Sequence, residues 1–336
     1  MAVTRLSDLS FDEDVYLSYA QENRPDRNAY VQSGVAVTND SLREAVTEQG
    51  TLPTIPYWKD LDASSENVSS DDPNTSATPG KIGTDIMVAR QLYLNNGWGA
   101  ANLAASINGG NDPMRQIAAR TGRYWDMRLA ARVQAATLGA YLSNVAAGGD
   151  MVYDVSTEDG DNATADNKWS YDGFVDTLAT MGENASELGL IAVHPDTMAQ
   201  MRKQNQIATI QDSETGLMIN MYGEYRVIED KALPVIAGGT SGFRYVSVLY
   251  RQGAIGYAEG DVKNPIGVQM DEAAANGAGV ESLWERKHWI VHPEGFNWTE
   301  TTVSGLSPTI TEFEDADNWG RKFERENVGL AFFVHN

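Results

Sequence analysis

The chain has 336 residues, 42% of them hydrophobic, ample for a buried core in one large domain or two to three smaller ones. It contains no cysteine, which excludes disulfides, thiolate metal sites and a thiol nucleophile. Its formal net charge of −22 argues against a free nucleic-acid binder, whose affinity rests on a basic face.

Residues 1–50 read as an arm. Leu6, Leu9, Phe11, Val15, Tyr16 and Leu17 are scattered among acids with a periodicity too weak for a packed unit. A short strand is expected over residues 31–37 and a short helix over 40–48, capped by Asp40 or Ser41. Such an arm buries little by itself and would become ordered across a neighbour. Its first fourteen residues are polar and acidic, unlike a secretory leader, and no apolar run approaches the roughly 18 residues of a membrane-spanning helix.

Residues 59–81 are mostly Ser, Asp, Asn, Thr and Pro, between apolar flanks at 52–58 and 82–94. A segment of this composition cannot bury its own backbone. The pattern predicts a long excursion that leaves the body and returns, and a plain surface loop is the competing reading.

Residues 112–147 form the clearest element. Asp112 suits an N-cap, Pro113 the first helical position, and Gly148-Gly149 the end. Met114, Ile117, Tyr124, Trp125, Leu129, Val133, Ala136 and Ala140 fall at helical spacings, and Gly122 and Gly139 are places for a bend. One continuous helix here would be a rod of roughly 50 Å. The stretch 111–149 carries five arginines against two acids, whereas 1–110 balances at −8 and 150–336 at −17, so it is the one basic island. Its arginines are Arg115, Arg120, Arg123, Arg128 and Arg132. Either they pair with acids of neighbouring segments or subunits, or some face nucleic acid.

Downstream, strands are expected at 151–156, 188–194, 225–228, 245–250, 255–258, 266–270, 282–291 and 328–334, and helices at 170–181, 195–204 and 309–319. No internal repeat is present. Strands cluster and do not alternate regularly with helices, which makes the class α+β.

No catalytic constellation emerges. Dinucleotide and phosphate-loop glycine motifs are missing, as is a nucleophile elbow, and Gly239-Thr240-Ser241-Gly242 reads as a turn. His288 and His292 have the spacing of a helical metal pair, but the alternation around them favours a strand, where four residues span about 13 Å. Asp71-Asp72 and Glu312, Glu314, Asp315 and Asp317 read as solvated faces, and Asp159-Gly160-Asp161-Asn162 as a turn. No catalytic residue, cofactor or metal is expected.

The parts in order resemble the major capsid proteins of tailed double-stranded DNA bacteriophages, with the HK-ninety-seven-type coat fold. Ile55-Pro56-Tyr57-Trp58-Lys59-Asp60-Leu61 is similar to the stretch leading into that family's extended loop, and Asp112-Pro113-Met114-Arg115 through Tyr124-Trp125 to its spine helix. Residues 190–195 with Met201 and Ile207, then Tyr222-Gly223, Val227-Ile228-Glu229-Asp230 and Pro234, resemble its axial domain. Gly253-Ala254-Ile255-Gly256, His292-Pro293-Glu294-Gly295-Phe296 and the ending from Ser307-Pro308-Thr309 through Asn318-Trp319 match as well. The resemblance runs from about Pro53 to the end and is weakest in the arm.

The resemblance implies a tailed-phage capsid fold with N-terminal arm (1–50), extended β-hairpin loop and flanks (51–110), a peripheral domain (111–186 plus 296–336) holding spine helix 112–147, and an axial domain (187–295). It implies an icosahedral virion shell of hexamers and pentamers, assembled in the host cytoplasm with a separate scaffold protein and a portal, with room for a decoration protein and no membrane. Double-stranded DNA would be enclosed with weak, non-specific contact, for which the five arginines are the candidates. Tyr57, Trp58, Lys59 and Lys81 are the candidates for inter-subunit contact, without a predicted crosslink. An encapsulin-like compartment, a soluble carboxylate-dependent hydrolase and a tail-associated protein are the alternatives.

Overall fold

The computed structural model describes residues 29–38, 42–44, 46, 50–61, 66–107, 113–211 and 218–336. The expectations for residues 1–28 and for caps at Asp40, Ser41 and Asp112 lie outside that range. At the root of the arm, helix α1 (Ala29–Ser33) stops at Gly34, where φ is +83°, and strand β1 (Ala36–Thr38) follows. This corrects the single strand expected over 31–37. Tyr30 is buried and donates its hydroxyl to Asp230 at 2.5 Å, an anchor made from the helical turn. Leu42 and Val46 are helical and sit against Gly256 and Gly260.

Strands β2 (Thr54–Trp58) and β3 (Thr84–Val88) pair antiparallel, with Thr54 opposite Val88 and Trp58 opposite Thr84. The polar stretch between them is therefore the tip of a hairpin. Strand β4 (Gln91–Ala101) and helix α2 (Asn102–Ile107) follow.

The long helix is two helices, α3 (Pro113–Ala118) and α4 (Thr121–Ala146). This corrects the single rod, since 26 residues of α4 rise about 39 Å. The break lies at Ala119–Arg120, ahead of Gly122. There the Arg120 amide bonds to Ile117 in a tight turn, and the Thr121 hydroxyl bonds to the Ala118 carbonyl. Met114 and Ile117 of α3 pack on Ala100 and Leu283, while Trp125 and Leu129 of α4 enter the main core. Two apolar patches thus draw the segments onto different ground. Gly139 is no bend either. A Cβ there would fall on Trp319 Nε1 and 2.7 Å from the Phe313 carbonyl, so the glycine permits close approach. Gly148 and Gly149 end α4 with φ of +116° and +73°, and the Gly149 amide returns to the Asn144 carbonyl at 2.8 Å.

Then come β5 (Val152–Asp154), α5 (Tyr171–Ala179) capped by Ser170, β6 (Leu188–Val193), α6 (Pro195–Lys203) opened by proline, β7 (Ile207–Gln211), β8 (Met218–Tyr222), β9 (Tyr225–Glu229), β10 (Val235–Ala237) and β11 (Phe243–Arg251). The rest is β12 (Ile255–Gly260), β13 (Ile266–Asp271), β14 (Val280–Pro293), β15 (Phe296–Trp298), α7 (Ile310–Glu314), β16 (Trp319–Arg321) and β17 (Leu330–His335).

Two large sheets result. In one, β14 pairs with β4 on one side and with β13 and β12 in succession on the other, and β1 lies parallel on β12. The second runs β5-β17-β11-β6-β9-β8-β7, with β10 on β11. The expected division at residues 187 and 295 does not follow these sheets. The C-terminal strand β17 pairs with β11 and β5, while β12 and β14 pair far back in the chain with β1 and β4. Buried β17 explains this, because Phe332 and Val334 face the core under α4 while Ala331 and Phe333 face the core under α5 and α6. A strand apolar on both faces belongs inside a sheet covered on both sides. Among the described residues no helix is long and apolar enough to cross a membrane.

Candidate assembly interface

The hairpin is fastened at its base and bare at its tip. The Ala89 amide bonds to the Pro53 carbonyl, and the Val88 amide to Asn297 Oδ1 at 2.8 Å. Buried Arg90 donates to the Leu306 carbonyl and pairs with Glu300 at 2.9 Å. Tyr57 packs edge-on against Phe323, ring centres 4.9 Å apart, and its hydroxyl donates to Asp85. Lys59 stands 3.3 Å and Lys322 3.9 Å from the Asp85 carboxylate. The Ile86 amide first, and Lys59 second, hold that carboxyl below its ordinary range. Beyond this latch every described residue from 59 to 83 is exposed. Local turns give the tip its shape, since the Asn74 amide donates to Asp72 Oδ1 and the Asn67 amide group to the Thr78 carbonyl.

The four hairpin candidates therefore divide. Tyr57 turns onto its own body, whereas Trp58 at 70% exposure, Lys59 and Lys81 lie on the surface. Leu61, Val68, Ile82 and Ile86 are also exposed, so the excursion carries an apolar load into solvent.

The arginines divide too. Arg115 on α3 and Arg120 in the break are exposed, and Arg123 and Arg128 on α4 are half-buried. Arg132 is buried. It donates to the carbonyls of Pro308 and Thr309 and lies 5.8 Å over the Phe313 ring. Burial, with Arg128 nearby, pushes its pKa down to about 10, so it stays charged at neutral pH. Its charge is spent inside the fold and is out of reach of a phosphate.

The remaining sequence candidates have structural positions. His288 lies edge-on to Tyr93, and His292 is buried 6.0 Å from Trp319. Both are on β14, whose extended backbone keeps them apart. Glu312 is not a merely solvated acid. It accepts from the backbone amides of Thr309 and Ser304, and these bonds hold its carboxyl at about 2. Asp159 accepts from the Ser241 hydroxyl at 2.5 Å, tying the two expected turns together.

Sequence reasoning missed three features. Asp230 accepts from both Tyr30 and Gln134, joining the arm root to α4. Arg251 bridges Glu187 at 2.8 Å and Glu294 at 2.5 Å. On β13, Ile266, Val268 and Met270 form an exposed apolar row. Only the last left a sequence signal, the alternation itself, which cannot tell a covered face from a bare one.

No protein-family model matches the chain. The major capsid protein of Bacillus phage SPP1 is 33% identical over 343 aligned positions that cover 100% of this chain and 99% of that protein. Among solved structures, the capsid of Ralstonia phage GP4 superposes with a TM-score of 0.58 at 12% identity, covering 96% of each chain. The encapsulin of the holo-SrpI complex from Synechococcus elongatus reaches 0.50 at 11% identity, covering 99% of this chain and 95% of that one. Fold likeness at such low identity is common to both kinds of shell, so the discriminating weight rests on the sequence relative.

Proposed function

The chain belongs to the major capsid proteins of tailed bacteriophages, and from that membership we propose that its copies form hexamers and pentamers of an icosahedral shell enclosing double-stranded DNA. The observation that carries the reading is one-third identity sustained over 99% of the length of a phage major capsid protein. The role is structural and not enzymatic. Assembly proceeds in the host cytoplasm with a separate scaffold and a portal, and the finished surface can take a decoration protein.

The axial domain is the unit built on the eight-stranded sheet, and the peripheral domain the unit built on α4 and the five-stranded sheet; that the two sheets share no strand supports this division. The exposed hairpin residues Trp58, Lys59 and Lys81 reach other subunits, and the latch around Asp85 sets the angle at which they leave the body. DNA contact is weak and non-specific, because a chain of net charge −22 repels a polyanion except at its accessible arginines.

The test is electron microscopy with sedimentation of the protein expressed with and without neighbouring phage genes. Uniform closed shells, or flat hexameric and pentameric capsomers, are expected. A strictly monomeric or dimeric species in the presence of the scaffold overturns the reading. Particles that retain host proteins and no nuclease-protected DNA in an infected cell favour the encapsulin-like alternative.

A further inference from the structure

A cavity of about 160 Å³ opens between α4, the turn before β10, and helix α7. Its inner wall is apolar, since Tyr141 of α4, Val246 and Val248 of β11 and Phe332 of β17 all belong to the main core. Tyr141 and Phe332 meet edge-on with ring centres 5.1 Å apart, so part of that wall is aromatic. The polar groups on the α4 side are already engaged. The Thr137 hydroxyl donates to the Val133 carbonyl and accepts from the Tyr250 hydroxyl, and the Gln134 amide group donates to Asp230. Water deep in such a space finds few of the roughly two to four polar partners it needs.

At the edge of the cavity stands Glu314, the last residue of α7. Among the described residues its carboxylate has no hydrogen bond and no ion pair. Arg132, the cation whose field reaches it, is committed to the carbonyls of Pro308 and Thr309 and to the Phe313 ring. Burial raises the Glu314 pKa in spite of that field. Glu312, on the same short helix, shows the contrast, because it accepts from the amides and hydroxyls of both Ser304 and Thr309. A carboxylate taken partly out of water without a donor is costly, and a donor brought to it recovers that cost.

Size and charge together define the ligand. A cavity of about 150 Å³ lined by apolar side chains takes a benzene-sized body. A carboxylate beside it favours an ammonium, which brings three donors and the opposite charge. We propose that this cavity is a binding site for a small primary amine with an aromatic body, its ring against Tyr141 and Phe332 and its ammonium on the Glu314 carboxylate. The site lies within one subunit, so the inference stands apart from the coat-protein reading and neither falls with the other.

Benzylamine is the probe, titrated into the folded, unassembled subunit with its Val, Leu and Ile methyl groups labelled for NMR. The expected result is saturable shifts at Val246, Val248 and Leu138, with a Kd of about 1 mM for a ligand of about eight non-hydrogen atoms. Benzyl alcohol, nearly the same shape without the charge, should bind about tenfold more weakly, and benzoate should leave these methyls unmoved. Glu314→Gln should weaken benzylamine about tenfold and leave benzyl alcohol unchanged. Ala131→Leu places a larger side chain in the lining from a helical position that tolerates it, and should abolish the binding of both. Benzylamine shifts absent from Val246 and Val248, or scattered over the acidic surface, overturn the inference. So does benzylamine affinity that survives both substitutions. Should Ala131→Leu fail to fold, unchanged benzylamine affinity in Glu314→Gln overturns it by itself.

Discussion

A side chain's place on its element decides what its charge is for. Arg132 is the fifth in a series of arginines on one predicted helix, and nothing in its residue type separates it from Arg128. In the fold it reaches two carbonyls of the segment entering α7, and its guanidinium is a structural strut. Burial acts with opposite consequence on His292 and His335. Both are enclosed, and burial pushes each down from 6.5 to about 4. The His335 ring meets the Ser247 hydroxyl at 3.0 Å. The unfolded chain protonates these rings near pH 6.5, whereas the folded chain resists until about 4. Their neutral forms thus support the fold fully above pH 6.5. As pH falls below that value unfolding takes up protons, and stability declines by up to about 1.4 kcal/mol per pH unit for each histidine. The window from pH 6.5 to 5 lies above the range of Glu312, held at about 2. Melting temperature of unassembled subunits should therefore drop across that window. The double variant His292→Asn, His335→Asn should melt lower throughout but with a flatter slope, and an unchanged slope would assign the pH dependence to other groups.

At the scale of elements, α4 carries two glycines with opposite meanings. Gly122 lies in open space, where a Cβ meets nothing within 4 Å. Gly122→Ala should stabilise the subunit by about 0.5–1 kcal/mol by restricting the unfolded chain and favouring helix. Gly139→Ala gains the same propensity but drives a methyl into the Trp319 indole and the Phe313 carbonyl, which are hydrogen-bonded to each other at 2.8 Å. A net loss of about 1–3 kcal/mol is expected from that overpacking. Urea titration of the two variants, with midpoints moving in opposite directions, checks both. The contrast shows what a linear text conveys. The helix and its glycine end are legible because periodicity and the αL requirement are local. The function of Gly139 depends on a tryptophan 180 residues away, and the break at Ala119–Arg120 depends on which strand each half of the helix meets. Strands with strong alternation, such as β14 and β11, are legible for the same local reason, whereas three-residue β10, β15 and β16 exist only through their partners. The hairpin could be read from its apolar flanks and polar tip, but the Asp85 latch with Lys322 joins parts far apart in the chain.

For the whole molecule the distribution of apolar surface bears on where stability resides. The two main cores bury their apolar side chains, yet the hairpin, α2 and β13 hold Trp58, Leu61, Val68, Ile82, Ile86, Leu103, Ile107, Ile266 and Val268 in solvent. A free subunit gains nothing from these side chains, and a shell that covers them gains from each. Opposing that gain, copies of net charge −22 repel one another, though only within about 10 Å at 0.1 M salt. Short-range burial therefore wins once surfaces meet, with modest contacts repeated at every interface. Because assembly binds only folded subunits, it shifts unfolding by mass action, by about 2.7 kcal/mol when the effective partner concentration is a hundred times the dissociation constant. For a chain of this size that corresponds to a rise in melting temperature of roughly 4 °C. Calorimetry of intact shells beside dissociated subunits in the same buffer should show that rise. Shells and subunits melting together would instead mean that the monomer cores carry the stability and that interface contacts add shape without strength.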